Sequence, residues 1–366
     1  LLYTTHTQQG AARERYYGSE WHWEDTGLPE QYLPIFVPEP GMCDFSHAIS
    51  VMAHVINAVS REHEEVTKSS VYPTFAAKTT SVTNGVSKLW QLGAFQAHAA
   101  GGFVSFTDEE MLAIHHQGKE NFLSMAERYA GIPQGTLDRN KLWGGMIRRP
   151  AAYKNMYEPV RKILPAICAD RGHVVMTECG ELEGLGVGLV VGFLPSPNDG
   201  ICRSWLEGYM ALAPYHRNKL VYIPDYSFEL VEAGTAGSDF WVEIPLVGHE
   251  GCGTSGRQCA RNGIPTISTM GGGNIEWMRE FDPETGEGNG FFMKIDTDPL
   301  SLYSAMKEVS DLYYAHRDEG NMNYLRLMRN VLEDGESLDV KYAIRKYERI
   351  FEYLTRPVFG TEELVA

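Results

Sequence analysis

Residues 249–277 read HEGCGTSGRQCARNGIPTISTMGGGNIEW. A lone carboxylate, Glu250, stands ahead of a glycine-rich turn, which leads into a short helix-like run, an apolar strand and a second glycine turn. Gly253, Thr254, Ser255 and Gly256 immediately precede RQCARNG, and a Thr or Ser at that place would cap a helix. A helix amino terminus exposes unpaired N–H groups and the positive end of a dipole, so a phosphate would be well served there. The plainer alternative is a capped helix after a strand, as in any α/β protein, and the local pattern leaves both open.

Outward from that stretch the chain alternates strand, glycine or polar turn, and helix. KLWGGMI (141–147), HVVMT (173–177), VGLVVGF (187–193), KLVYIPDY (219–226), DFWVEIP (239–245), PTISTM (265–270) and GFFMKID (290–296) read as apolar strands. PAAYKNMYEPVRKILPAIC (150–168) reads as a helix between the first two. The pattern predicts an α/β fold, a parallel sheet covered by helices in a doubly wound Rossmann-like domain, with ligands at the carboxyl ends of the strands. Upstream, the apolar spacing of DFSHAISVMAHVINAVSREHEEVT (44–67) predicts one long amphipathic helix. TDEEMLAIHHQGKENFLSMAERYA (107–130) predicts another, started by Thr107 and the acids after it and stopped by GIPQG at 131–135. A domain boundary near 135 follows. SLYSAMKEVSDLYYAHRD and LDVKYAIRKYERIFEYLTR predict amphipathic capping helices near the end. The opening LLYTTHTQQG has no methionine, basic n-region or cleavage site and reads as a buried strand entering a loop, so the sequence is expected to begin inside a fold.

Bulk composition narrows the function. With 366 residues, 43% of them hydrophobic, the chain can form two or three packed domains. Its net charge of −16 makes nucleic acid or an anionic membrane a poor partner, so any phosphate must be held by a local pocket. Six cysteines without a CxxC pair suit a reduced, cytoplasmic interior and support neither a disulfide framework nor a metal site. The apolar run GLGVGLVVGFL (184–194) is far short of the roughly 20 residues that span a bilayer. GGMIRRPAAYKNM (144–156) places Arg149 and Lys154 five positions apart just after a strand end. A planar fork and a flexible point charge so placed would suit a phosphate or diphosphate; the alternative is a solvated helix face.

The ordered set TTHT, DFSHAISVMAHVINAVSREHEEV, VTNGVSKLW, RRPAAYK, YIPDY, HEGCGTSG and NGIPTISTMGGGNIEW resembles the α-glucan phosphorylase family over most of the chain. The resemblance implies a GT-B architecture, two Rossmann-like domains facing a cleft. Residues 1–135 would be a partial amino-terminal, acceptor-side domain, 136–335 the domain that holds donor and phosphate, and 336–366 a helix crossing back to the first. It also implies that Glu250, Cys252 and Gly253 line the pocket of the transferred glucosyl unit. Asn84 and His47 would reach the same sugar from the first domain, and Tyr153 would border it. Arg149 and Lys154 would stand at the phosphate, with Thr254 and the N–H groups after it as a helix-end anion cradle. For His47 a hydrogen-bonded core position, and for Asn84 a common Asn-Gly turn, remain open. Cleaving a bond at an anomeric carbon builds positive charge on the sugar and negative charge on the departing phosphate, so fixed cations there favour the transition state. A carboxylate such as Glu250 would orient the ring. Retention at the anomeric carbon is implied by the resemblance.

One position departs from the family decisively. Its GTSGMK or GTGNMK run carries the lysine that forms a Schiff base with pyridoxal phosphate, and here that position is Gln258. An amide cannot form the imine, and no lysine lies between Lys219 and Lys294, so covalent pyridoxal phosphate is not expected. Retaining GT-B transferases that use nucleotide sugars resemble the same layout, with Arg and Lys five apart at the diphosphate and two carboxylates eight apart on sugar and ribose. Arg149 with Lys154 fits the first pair. Glu250 with Gln258 fits the second if an amide replaces the ribose-binding carboxylate. The expectation is a retaining hexosyltransferase acting on a glucan, with a nucleotide-diphosphate sugar as co-substrate. The alternatives are a phosphorylase holding pyridoxal phosphate noncovalently or replacing it, and a noncatalytic carbohydrate-binding subunit. The family's basic GKA-type turn is FLPSPNDG (193–200) here, without lysine. The resemblance starts midway through the first domain, so the early strands are expected either upstream of the given sequence or from an oligomer or partner chain.

Overall fold

The sheet that dominates the molecule is dictated by aromatic residues and the glycines that receive them. The computed structural model describes residues 1–6, 15–17, 22–99 and 106–356. Six strands form a wholly parallel sheet: β1 (Leu142–Ile147), β2 (Val187–Gly192), β3 (Leu220–Ile223), β4 (Phe240–Glu243), β5 (Thr266–Thr269) and β6 (Gly290–Met293). Each is buried along its whole length, which is why the sequence reads as continuous apolar runs without alternation. Within it, a Cβ on Gly188 would lie 2.5 Å from the ring of Trp143, and one on Gly144 2.5 Å from Phe240. The strand glycines therefore make room for rings of the neighbouring strand. Trp143 and Trp241 are fully buried as a result, each worth an upper bound of about 5 kcal/mol of apolar burial.

The spatial order is β3-β2-β1-β4-β5-β6. Chain order reverses between β1 and β4, so the crevice beyond their carboxyl ends is where ligands bind in such sheets. RRPAAYK leaves β1 and PLVGHEGCGTSG leaves β4 at that edge.

Several expected elements are placed differently. HVVMT forms Val174–Thr177 but pairs antiparallel with Gly180–Glu183 outside the sheet, leaving Val174 and Met176 65% and 67% exposed. The helix expected from 150 begins at Glu158; Ala152–Lys154 is a 3-10 turn ended by Asn155 at φ 54. The largest correction falls at 44–67, where the expected single helix is a helix (Phe45–Met52), a strand (Val55–Ala58) and a second helix (Arg61–Val66). The strand is the middle of a parallel three-stranded sheet between Leu2–Thr4 and Thr79–Ser81, and Ile56, Asn57 and Ala58 are fully buried. A short apolar run buried on both faces has no period that separates strand from helix.

The helix Asp108–Ala130 starts and stops as expected, with a capping box between Thr107 and Glu110 and a left-handed Gly131 after it. It packs on the six-stranded sheet through Phe122 and Leu123, and Gly118 meets the backbone of the helix Phe228–Gly237 so closely that a Cβ would lie 2.5 Å from the Ala236 oxygen. A boundary at 135 would separate this helix from the layer it covers. Across the interface Asp239 accepts the Trp143 N–H (2.7 Å) and pairs with Lys119 (2.7 Å) and His115 (3.0 Å) in a fully buried cluster. Burial alone would push the Asp239 carboxyl up; Lys119 and His115 hold it below its usual range instead. Asp239→Asn should therefore cost about 3 kcal/mol or more in urea unfolding, because it strands a buried ammonium. The contribution lost is present above the unfolded carboxyl's pKa and disappears as pH falls through the folded one, so wild type and variant should converge in acid.

Candidate active site

At the switch point the last residues of two adjacent strands turn four charges toward one another. Arg148 continues β1 by donating its N–H to the Gly192 oxygen (3.0 Å), and its side chain is buried in the crevice. Its Nη2 donates to Glu243 Oε1 and to Glu250 Oε2, both at 3.1 Å. Lys154, brought back by the 3-10 turn, places Nζ 3.1 Å from the same Glu250 Oε2. Glu243 closes β4, and its Oε2 accepts the Gly256 N–H (2.8 Å) and the Ser255 hydroxyl (2.9 Å).

Arg148, Lys154, Glu250 and Ser255 line a cleft of about 390 Å³, the size of a small-ligand site, with Glu243 buried behind Arg148 and Ser255. Of the residues expected there, Arg149 and Lys154 line it from one side, Glu250, Cys252 and Gly253 from another, and Thr254 and Gln258 from the short helix Ser255–Ala260. Arg149 is exposed at the rim, without an ion pair among the described residues. Trp90, Ile147, Phe228 and Val231 contribute an apolar part to the cleft, with the Trp90 and Phe228 ring centroids 4.8 Å apart. Tyr153 lies beside the cleft with its ring 5.7 Å from the Lys154 ammonium, its phenol pushed up to about 12 by burial and then by the charge of Glu250. Burial likewise raises the Cys252 thiol, which suits packing rather than nucleophilic attack.

Three expectations need correction. The cradle assigned to Thr254 is already partly occupied: Thr254 makes no side-chain cap, and the N–H of Gly256 is taken by Glu243. Asn84 lines a separate hollow of about 160 Å³ with Arg257, Glu276 and Trp277, and its N–H donates to the Val59 oxygen (3.2 Å). His47 lines neither; it sits in the first turn of its helix, 5.7 Å from the ring of Phe75. Sequence reasoning missed Arg148 and Glu243. The basic pair RR after the strand drew attention to Arg149 alone, although Arg148 beside it lines the same cleft, and nothing around Glu243 marks it in an otherwise apolar strand.

The first sheet closes on the same loops. Ser60 Oγ donates to the Gly251 oxygen (2.5 Å), and a Cβ on Gly251 would lie 2.9 Å from both the His6 oxygen and His63 Nδ1. Glu276, in the second glycine turn, accepts the Arg61 N–H and the Thr83 hydroxyl, both at 2.8 Å, and Gly272 donates to Glu62.

No family model matches the chain. It is 25% identical over 314 residues, 72% of its length, to a maltodextrin phosphorylase of Thermococcus litoralis, and 23% identical over 328 residues, 77% of its length, to a glycogen phosphorylase of Aquifex aeolicus. Its fold matches the catalytic domain of starch synthase IV from Arabidopsis thaliana bound to ADP and acarbose, with a TM-score of 0.65 over 96% of this chain and 66% of that one at 16% identity. The chain is thus similar in sequence to glucan phosphorylases and shares the GT-B fold of that starch synthase domain. It spans 35% of the maltodextrin phosphorylase and 45% of the glycogen phosphorylase. Among the described residues of this phosphorylase-like chain no helix is long and apolar enough to cross a membrane, and no cluster of His, Cys, Asp or Glu could hold a metal.

The electrostatics give a pH signature. Glu250 is held below its usual range because Arg148 and Lys154 outweigh the burial that would raise it. Lys154 is pulled down to about 8, by burial first and by Arg148 next, against the attraction of Glu250. Anion binding in the cleft should therefore weaken as pH rises through about 8, and Lys154→Met should flatten that dependence in calorimetric titrations with pyrophosphate. Stability should move the other way. Between the folded value and the ordinary lysine value the unfolded chain binds more protons, so unfolding becomes harder as pH rises in that window.

Proposed function

We propose that the cleft transfers a hexosyl unit, with retention, between an activated sugar and a glucan, and that the activated sugar is a nucleotide-diphosphate sugar. The observation that carries this reading is the joint lining of one cleft by Arg149, Lys154, Glu250 and Gln258. Arg149 and Lys154 would receive the leaving phosphate where its negative charge develops. Glu250, with Oε2 fixed by two cations and Oε1 free of hydrogen bonds among the described residues, would hold a sugar hydroxyl through Oε1. The apolar part at Trp90 and Phe228 suits the flat ring of a base. The side chains fit a pyridoxal ring poorly as a covalent partner. Lys154 is the one lysine among the lining residues, its ammonium is engaged by Glu250, and Gln258 offers an amide. The starch synthase matched in fold was bound to ADP, which is in keeping with a nucleotide in the same crevice.

A second reading has one observation in its favour: the sequence relatives are glucan phosphorylases. Phosphate would then sit at Arg149 and Lys154 as the acceptor. In either reading the first sheet and the helix Val340–Thr355, whose Tyr347 hydroxyl accepts from Asn57 (2.9 Å), would form the acceptor-side wall.

Incubating the protein and a glucan primer with a panel of nucleotide sugars, and separately with phosphate, tests both. Product from a nucleotide sugar is the expected result, and Arg149→Ala should lower turnover about 10²-fold, the usual effect of removing one transition-state donor. Phosphate-dependent release of sugar phosphate alone would favour the second reading, and turnover with neither donor would sink both.

A further inference from the structure

The glycine turn at 253–256 is built around an anion that the chain carries itself. Glu243 is 1% exposed. Its carboxylate accepts the Gly256 N–H, the Ser255 hydroxyl and Arg148 Nη2. A Cβ on Gly253 would fall 1.5 Å from Glu243 Oε1, so glycine is required at 253 by this carboxylate before any ligand arrives. Two donors that a phosphate would use at such a turn, the Gly256 N–H and the Ser255 hydroxyl, are already taken. Arg148 Nη1, by contrast, is buried without a hydrogen-bond partner in a residue that lines the cleft. Three cations, Arg148, Arg149 and Lys154, and one carboxylate, Glu250, line the cleft, and Glu243 behind Arg148 brings the local net charge to +1.

We propose that Glu243 is a resident counter-anion that fixes the ligand class of the cleft: it holds the place of one phosphate at the glycine turn, so the protein grips a single phosphoryl group, between Arg149, Lys154 and Arg148 Nη1. This rests on the reading that a phosphate binds at Arg149 and Lys154. A diphosphate ligand is then held by one of its two phosphates, with the other toward solvent. A second phosphate pressed into the turn would meet the Glu243 carboxylate in a site of low dielectric, where like charges repel strongly. Glu243 acts as a positioning residue, because it reaches the ligand only through Arg148 and the turn.

Calorimetric titration of the whole chain with inorganic phosphate and with pyrophosphate tests this. Wild type should bind the two within about threefold of each other, since a phosphate left in solvent adds only screened attraction. Glu243→Gln keeps the shape and removes the charge, and should tighten pyrophosphate about tenfold or more while changing phosphate less. Glu243→Ala leaves a carboxylate-sized gap, so added formate should raise its thermal unfolding midpoint and compete with pyrophosphate, and should do neither in wild type. Ser255→Ala removes one hydroxyl donor but keeps the charge, and should retain the wild-type preference. Wild type that already prefers pyrophosphate by about tenfold overturns the proposal, as does a folded Glu243→Gln with unaltered preference or a Glu243→Ala indifferent to formate. If those failures occur while Arg149→Ala still abolishes phosphate binding, only the role of Glu243 is lost. If no anion binds wild type or any folded variant, the phosphate site and the counter-anion fall together.

Discussion

Two carboxylates and two cations share the mouth of the crevice between β1 and β4, and their mutual neutralisation is the constraint on which the surrounding structure depends. Arg148 and Glu243 are 95 residues apart in the chain and belong to neighbouring strands. Each would be expensive to bury alone, and together they are buried at a cost that the hydrogen bonds around them offset. Those bonds shape the loops. Gly253 must lack a side chain, Ser255 must turn its hydroxyl inward, and the 3-10 turn at Ala152–Lys154 must return an ammonium to Glu250.

The same loops carry the contact between the two sheets. Gly251 is pressed between Ser60 and His63 on one side and the crevice on the other, while Glu276 and Gly272 hold the start of the helix Arg61–Val66. The return path at the other end is equally direct: Val86 exchanges backbone hydrogen bonds with Leu338 and Val340, just where the last helix begins. A displacement of either sheet therefore acts on the residues that line the cleft, because Glu250, Cys252 and Gly253 line it while Gly251 between them is held by the neighbouring sheet.

The resemblance to phosphorylases is concentrated at one cleft, and so is the departure from their sequence pattern. The glycine turns, the basic pair and the carboxylate that resemble the family stand around one cleft. The lysine that would anchor an aldehyde is Gln258, held 7% exposed beside Arg257, whose Nη2 donates to the Gly273 oxygen at 2.6 Å. Where a ligand phosphate would neutralise the turn, Glu243 does so internally.

Much of this was legible in order along the chain. Long runs of Val, Ile, Leu and aromatic residues punctuated by glycine specify buried parallel strands, and Thr107 with Glu110 specifies a helix start, because these depend on contacts a few residues apart. Family-like motifs located Arg149, Lys154, Glu250 and Gln258 for the same reason: each sits in a short segment whose own turn chemistry is readable. What the sequence could not decide was pairing across distance. Whether VINA at 55–58 is strand or helix depended on a slot between two other strands, and whether a phosphate or a carboxylate fills the glycine turn depended on Glu243 arriving from β4. Local periodicity carries no record of which remote charge will be a neighbour; only the packed sheet brings Arg148 and Glu243 within hydrogen-bonding distance.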